Sequence, residues 1–218
     1  MAPLRPVILI SSVALLFASY VVLAQSRGPE SQELKTVTGP ERIFQVRYPK
    51  LLEVCSHRDG ENPDVWSPAD CVADIPVCDN SGHAGEVMLC LAYPVGEFKK
   101  SELQAAAFAV SRIDNLRTAS ECTQKWPRGN TSGMRSEKIG GMKFEVAEAE
   151  ESANSHLNSE TIYRAFHEGA CYELDLNIAI AQETAFAAED APRKLTAGER
   201  QEVKNTLLQA LAGFRFLK

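Results

Sequence analysis

Six cysteines carry most of the reactive side-chain chemistry in this chain. They are Cys55, Cys71, Cys78, Cys90, Cys122 and Cys171. All of them follow an apolar N-terminal segment with the form of a secretion signal, and an even number of cysteines in an oxidising compartment is typical of disulfides. We therefore predict that the six cysteines form structural disulfides and leave no reactive thiol.

Three other uses of these cysteines are disfavoured by their spacing. The candidate zinc ligands are Cys71, Cys78, His83 and Cys90. They lack the pairs two to four residues apart that usually hold structural zinc. No Cys-x-x-Cys motif is present for redox exchange. A nucleophilic Cys171 activated by His167 is disfavoured, because a predicted hairpin turn separates them and other cysteines compete for the sulfur. The sequence thus predicts no metal, no cofactor and no recognisable catalytic residue.

The disulfide partners are not decided by the sequence alone. Position along the chain suggests that Cys71 pairs with Cys78, Cys55 with Cys90 and Cys122 with Cys171. The last pair would close a loop of about fifty residues, and long loops gain most from a cross-link in the chain-entropy model. We expect this third disulfide to contribute most to stability.

A cluster of polar side chains flanks a predicted hairpin turn at Glu168-Gly169. The cluster consists of Tyr163, Arg164, His167 and Glu173. One hypothesis is a binding patch in which Arg164 and His167, with Glu173 across the turn, recognise an anionic or polar group. The alternative is cross-strand pairing that only stabilises the sheet, and it is the simpler interpretation.

The charge balance limits the classes of partner. The net charge is −6, and no basic run interrupts the acidic composition. Such a chain repels phosphate backbones, so nucleic-acid binding is disfavoured. We expect an unknown protein or small-molecule partner outside the cytoplasm.

The chain divides into three predicted parts. Residues 1–24 have the charged start, apolar centre and small terminal residues of a signal peptide. The alternative is a membrane anchor formed by residues 7–24, which is barely long enough to span a bilayer. Residues 25–40 are polar and contain glycine and proline, so they are interpreted as a flexible linker. Residues 41–218 form the predicted single domain.

The pattern of the domain predicts strands in hairpins together with two helices. Alternating apolar residues indicate strands at 43–48, 142–149, 161–167 and 171–181, and a continuous apolar run indicates another at 86–93. A polar turn is predicted at 152–160. Thr118 and Thr196 each begin a capping box that indicates a helix. The segment 103–116 fits both a helix and a strand. Phe214 to Leu217 is predicted as an edge strand. Together these elements predict an α+β fold with a mostly antiparallel sheet and helices on its faces.

Several segments resemble the PsbP-like group of extrinsic photosystem and bacterial secreted proteins. The resemblance rests on Phe44 to Tyr48 with Pro49, Gly140 to Phe144, Tyr172 to Leu174 and Leu211 to Leu217. It covers residues 41 to 218 and implies an α/β/α sandwich, with a strand rather than a helix at 105–113. It implies no chemistry, because one fold hosts unrelated functions.

The sequence therefore predicts an exported, disulfide-braced binding or accessory protein, periplasmic or secreted, without enzymatic activity. Its membrane contact would be limited to an uncleaved leader. The alternative is a secreted hydrolase whose catalytic residues meet only in the folded structure.

Overall fold

The computed structural model describes residues 33–55, 78, 85–124, 126, 132–153, 156–182, 186 and 191–217. The predicted leader at 1–24 and the first half of the predicted linker, residues 25–32, lie outside these residues. Within the described ranges, no helix combines the length and the apolar character needed to cross a membrane.

The described strands and helices follow one another in a mixed order. The strands are β1 (Leu34–Thr38), β2 (Phe44–Pro49), β3 (Glu53–Val54), β4 (Glu86–Ala92), β5 (Leu103–Ile113), β6 (Ser132–Ile139), β7 (Met142–Ala153), β8 (His156–His167), β9 (Ala170–Ala181) and β10 (Phe214–Phe216). The helices are α1 (Ala119–Gln124) and α2 (Ala197–Ala212). Single 3-10 turns lie at Pro40–Arg42 and Val95–Glu97.

Among the described residues, these strands form two antiparallel sheets. One has three strands in the order β1-β2-β10, and the other has seven in the order β3-β4-β5-β9-β8-β7-β6. The predicted α+β class with mostly antiparallel sheets is confirmed. The edge position predicted for the last strand is also confirmed, since β10 borders the smaller sheet.

The main core lies on one face of the larger sheet. Alternation along β9 places Tyr172, Leu174 and Leu176 in this core, as their apolar period of two predicts. Helix α2 packs against β2, β5 and β9. It buries Val203, Leu207 and Leu211, which recur at helical spacing.

The ambiguous segment 103–116 is mostly strand. Strand β5 lies between β4 and β9 in the middle of the larger sheet. Its alanines favour a helix by intrinsic propensity. However, Ala106 packs in the main core and Ala105, Ala107 and Ala109 are buried on the opposite face. Burial on both faces outweighs the local preference, because small side chains let covering groups approach a central strand closely.

Two predictions about polar segments are wrong. The predicted linker at 25–40 includes β1, which pairs with β2 from Leu34↔Pro49 to Thr38↔Gln45. The predicted turn at 152–160 is also mostly strand, because β7 runs to Ala153 and β8 starts at His156. Polar composition suggested loops, but edge strands and long hairpins tolerate polar side chains, since the ladder hydrogen bonds involve only the backbone.

Helix α2 begins with the predicted capping box. The Thr196 hydroxyl accepts a hydrogen bond from the Glu199 amide at 3.2 Å, and the Glu199 carboxylate accepts one from the Thr196 amide at 2.8 Å. The guanidinium of Arg193 donates to both carboxylate oxygens of Glu199. These hydrogen bonds, with that of Arg193 the largest cause, lower the pKa of Glu199 from 4.5 to about 2.

This capping box predicts a pH-dependent contribution to stability. A carboxyl group whose pKa is lowered by folding stabilises the folded state above its unfolded pKa, and this stabilisation is lost as the pH falls through the folded value. We expect the free energy of unfolding of Glu199→Gln to lie below that of the wild type above pH 4.5, and the difference to vanish toward pH 2. Urea denaturation across this range measures it. Glu202→Gln, an exposed change on the same helix, is the control, and a difference independent of pH would contradict the assignment.

Candidate functional site

A groove lies between α2 and the larger sheet. Its volume is about 710 Å³, within the range of small-molecule sites. Strands β7, β8 and β9 form its floor and one wall, and α2 forms the other wall. The apolar lining consists of Ala149, Leu176, Ile178, Ile180, Leu195, Val203 and Leu207.

The register of the sheet arranges the floor in rows that cross three strands. Glu148 lies opposite Thr161, which lies opposite Leu176. The next row contains Glu150, Ser159 and Ile178 in the same order. Residues directly opposite one another point to the same face. Each row therefore changes from a carboxylate on β7 through a hydroxyl on β8 to an apolar side chain on β9.

The apolar end of these rows is only partly covered. Leu176 is buried beneath α2, but Ile178 and Ile180 are only half-buried. Most large apolar side chains of this sheet face are fully buried, so the isoleucines mark the place where the helix stops covering the sheet. Binding an apolar group there would remove further apolar surface from water, worth about 25 cal/mol per Å².

The helical wall carries both apolar and cationic side chains. Arg200, Val203, Lys204 and Leu207 are spaced by three and four residues, so they lie along one side of α2. Val203 and Leu207 are buried, whereas Arg200 and Lys204 are exposed. The helix thus presents an apolar base and a cationic upper edge to the groove.

Two of the charged groups around the groove are held by ion pairs. The Arg200 guanidinium donates to the buried carboxylate of Glu102, which also accepts a hydrogen bond from the Leu195 amide at 3.1 Å. On the sheet side, Arg135 donates to Glu148 at 2.8 Å and to Glu137 at 2.7 Å. The Glu137 hydrogen bond is the largest of the effects that raise the pKa of Arg135.

The opposite face of the larger sheet contains a buried ion pair. Arg164 and Glu173 are direct cross-strand neighbours on β8 and β9, and Arg164 Nε lies 2.6 Å from Glu173 Oε2. Their side chains are 0% and 3% exposed, and the Arg164 guanidinium lies 5.3 Å from the centre of the Trp126 ring. Buried polar groups continue beside them, where Asn177 donates to Glu160 at 3.0 Å. This arrangement is the cross-strand pairing proposed as the alternative to a binding patch.

The other two members of the predicted polar patch lie on the core face. Tyr163 is buried there, and burial is the main cause that raises its pKa to about 12. The His167 ring stacks on Phe216 with 4.0 Å between ring centres. Because Tyr163 and His167 alternate with Arg164 along β8, the four residues do not form one surface.

The described cysteines are all disulfide-bonded. Cys122 pairs with Cys171, as predicted. Cys78 pairs with Cys90, so the expected pairs Cys71 with Cys78 and Cys55 with Cys90 are both wrong; Cys71 itself lies outside the described residues. The sulfur atoms of Cys55, Cys78 and Cys90 lie within 4.8 Å of one another. Because the three sulfur atoms are this close together, neither separation along the chain nor position on neighbouring strands predicts which two of them form the disulfide. A metal ion would need these sulfurs as thiolates, hence after reduction.

Sequence reasoning missed the groove. Apart from Ser132 on β6, its hydroxyl and acidic residues lie on β7 and β8, partly in the segment that polar composition assigned to a turn. The signal present in the sequence was the period of two that places Ile178 and Ile180 on the same face of β9 as Leu176. Alternation indicates an apolar face, but it does not tell which part of that face a distant helix leaves uncovered.

The comparisons with known proteins reveal similarities of fold only. No protein-family model and no curated protein matches the chain. Among solved structures, a Bacteroides thetaiotaomicron protein is 13% identical with a TM-score of 0.42; the match covers 84% of this chain, which spans about half (48%) of that protein. LpqN, involved in cell envelope biogenesis of Mycobacterium tuberculosis, is 9% identical with a TM-score of 0.40, and the match covers 85% and 91% of the two chains.

A PsbP protein is also among the solved structures that are similar to this chain. Cyanobacterial PsbP (CyanoP) from Synechocystis is 10% identical with a TM-score of 0.38, and the match covers 89% of this chain and 98% of that one. At these values the likeness concerns the fold and carries no function to this chain.

Proposed function

We propose that this is an exported, non-enzymatic binding protein whose site is the groove between α2 and strands β7 to β9, and whose ligand is a small amphipathic molecule. The observation that carries the proposal is the floor of the groove, where half-buried Ile178 and Ile180 adjoin hydroxyl and carboxylate side chains. Ligand sites commonly combine such an apolar surface with a few polar groups that orient the ligand.

Export is part of the proposal. The disulfides Cys78–Cys90 and Cys122–Cys171 support it, because disulfides persist mainly in oxidising compartments. The signal-like residues 1–24 support it independently. We also propose the PsbP-like α/β/α arrangement, in which α2 covers one face of the larger sheet and α1 contacts β8 and β9.

The chemistry of the groove favours a binding function over the secreted-hydrolase alternative. Hydrolases of the serine and cysteine classes need a nucleophile beside a base such as histidine. The groove lining, within the described residues, offers hydroxyl groups and carboxylates but neither a histidine nor a cysteine. Its hydrogen-bonded charged pairs join arginines to carboxylates, which lowers the availability of both partners for proton transfer.

The test is binding of a neutral apolar fluorescent probe, N-phenyl-1-naphthylamine. We expect saturable binding to the wild-type protein, and we expect Ile178→Glu to weaken it by about tenfold or more, because a charged group on the floor opposes entry of an apolar ring. The matched control is Leu34→Glu, which changes an exposed residue on β1 outside the groove. Thermal melting verifies that both variants fold. Absence of saturable binding, or equal weakening by both changes, would refute the proposal.

A further inference from the structure

Two charged side chains at the groove have no ion-pair partner among the described residues. They are Glu150 on the sheet wall and Lys204 on the helical wall, both exposed. The neighbouring charged residues do have ion-pair partners, since Glu148 pairs with Arg135 and Arg200 pairs with Glu102. The groove therefore has one available anion and one available cation on opposite walls.

The apolar floor lies between these two charges. Glu150 occupies the same row as Ser159 and half-buried Ile178. Lys204 follows Val203, whose buried side chain contributes to the apolar base of the helical wall. No ion pair crosses the groove within the described part of the chain. Each charged group thus stays hydrated and available to a ligand.

We propose that the ligand is a zwitterionic amphiphile, whose anionic group contacts Lys204, whose cationic group contacts Glu150 and whose apolar body covers Ile178 and Ile180. This inference rests on the proposed function of the groove and specifies its ligand class. Charge-assisted hydrogen bonds at each wall orient the ligand, and apolar burial supplies a contribution independent of the head group. A ligand with one charge leaves the other wall unmatched.

Four decyl compounds with different head groups test the inference, each below its micellar concentration. They are decanoate, decylammonium, neutral decyl glucoside and the zwitterion N-decylglycine, whose ammonium group keeps its N–H donors. Displacement of N-phenyl-1-naphthylamine measures each affinity. We expect the zwitterion to bind about three- to tenfold more tightly than the glucoside, the range expected for exposed charge pairs together with partial desolvation.

Two charge-removing variants assign the head-group contacts. Lys204→Gln is expected to weaken binding of the zwitterion and of decanoate by about three- to tenfold while decylammonium is unaffected. Glu150→Gln is expected to weaken the zwitterion and decylammonium while decanoate is unaffected. Lys99→Gln and Glu97→Gln remove exposed charges outside the groove lining and should change none of the affinities.

The outcomes separate the two proposals. If all four decyl compounds bind equally, or if the two groove variants leave the order of affinities unchanged, the zwitterion inference is overturned while the groove remains a binding site. If none of them displaces the probe and the probe itself does not bind, the proposed function fails and the inference fails with it.

Discussion

Replacing Arg164 by methionine is expected to lower the free energy of unfolding by about 3 to 5 kcal/mol, the cost typical of removing one partner of a buried ion pair. Arg164 is fully buried and lies 2.6 Å from the Glu173 carboxylate, which is 3% exposed. Without the guanidinium, Glu173 has to bury its charge without this partner or take up a proton. Guanidinium chloride denaturation with an unchanged m value measures the loss.

A double variant distinguishes the ion pair from simple packing. Arg164→Met combined with Glu173→Met removes both charges, and apolar replacements of buried pairs are often neutral. We expect the double variant to recover most of the stability lost in the single one. The control is Lys50→Met, because the Lys50–Glu33 pair is 57% and 71% exposed and should contribute less than about 1 kcal/mol. Equal effects of Arg164→Met and Lys50→Met would show that burial of the pair has no energetic consequence.

Removing the Cys122–Cys171 disulfide is expected to cost about 4 kcal/mol in the chain-entropy model. This bond joins α1 to β9 across a sequence separation of 49 residues. The Cys78–Cys90 bond spans only 12 residues, so its removal should cost about 3 kcal/mol. We therefore expect Cys122→Ala with Cys171→Ala to lower the melting temperature more than Cys78→Ala with Cys90→Ala.

Paired alanine changes avoid two complications of single serine changes. They leave no unpaired thiol, and they place no hydroxyl in the apolar cluster that Cys122 and Cys171 share with Ile113 and Leu116. The comparison requires unreduced protein, and thiol titration in denaturant should find no free thiol in the wild type. Equal or reversed shifts in melting temperature would contradict the assigned order.

The helix ends and the alternating strands could be predicted because their signals are local. Thr196 and Glu199 lie three residues apart and form the capping box directly. Along β9, a period of two separates Leu174 and Leu176 from Glu173. Such patterns depend on backbone geometry within one element, so they need no information about its neighbours.

The burial of Glu173 could not be predicted in the same way. Alternation on a single strand suggests one core face and one solvent face. In the folded chain both faces of β9 are buried from Ala170 to Asn177, and the polar face holds Asn177 and the Glu173 side of the Arg164–Glu173 ion pair. Side chains that are distant in the sequence cover this polar face. Trp126, for example, lies against the Arg164 guanidinium.

The sequence by itself determined the α+β class, the limits of several strands and the beginning of α2. The tertiary structure alone decided that Cys78 bonds Cys90, that the polar side of β9 is buried and that a groove opens beside α2. The physical reason is how far apart in the sequence the interacting residues lie. Caps and strand periods depend on neighbouring residues, whereas the groove requires β7, β8, β9 and α2 to meet, and its lining extends from Ser132 to Leu207.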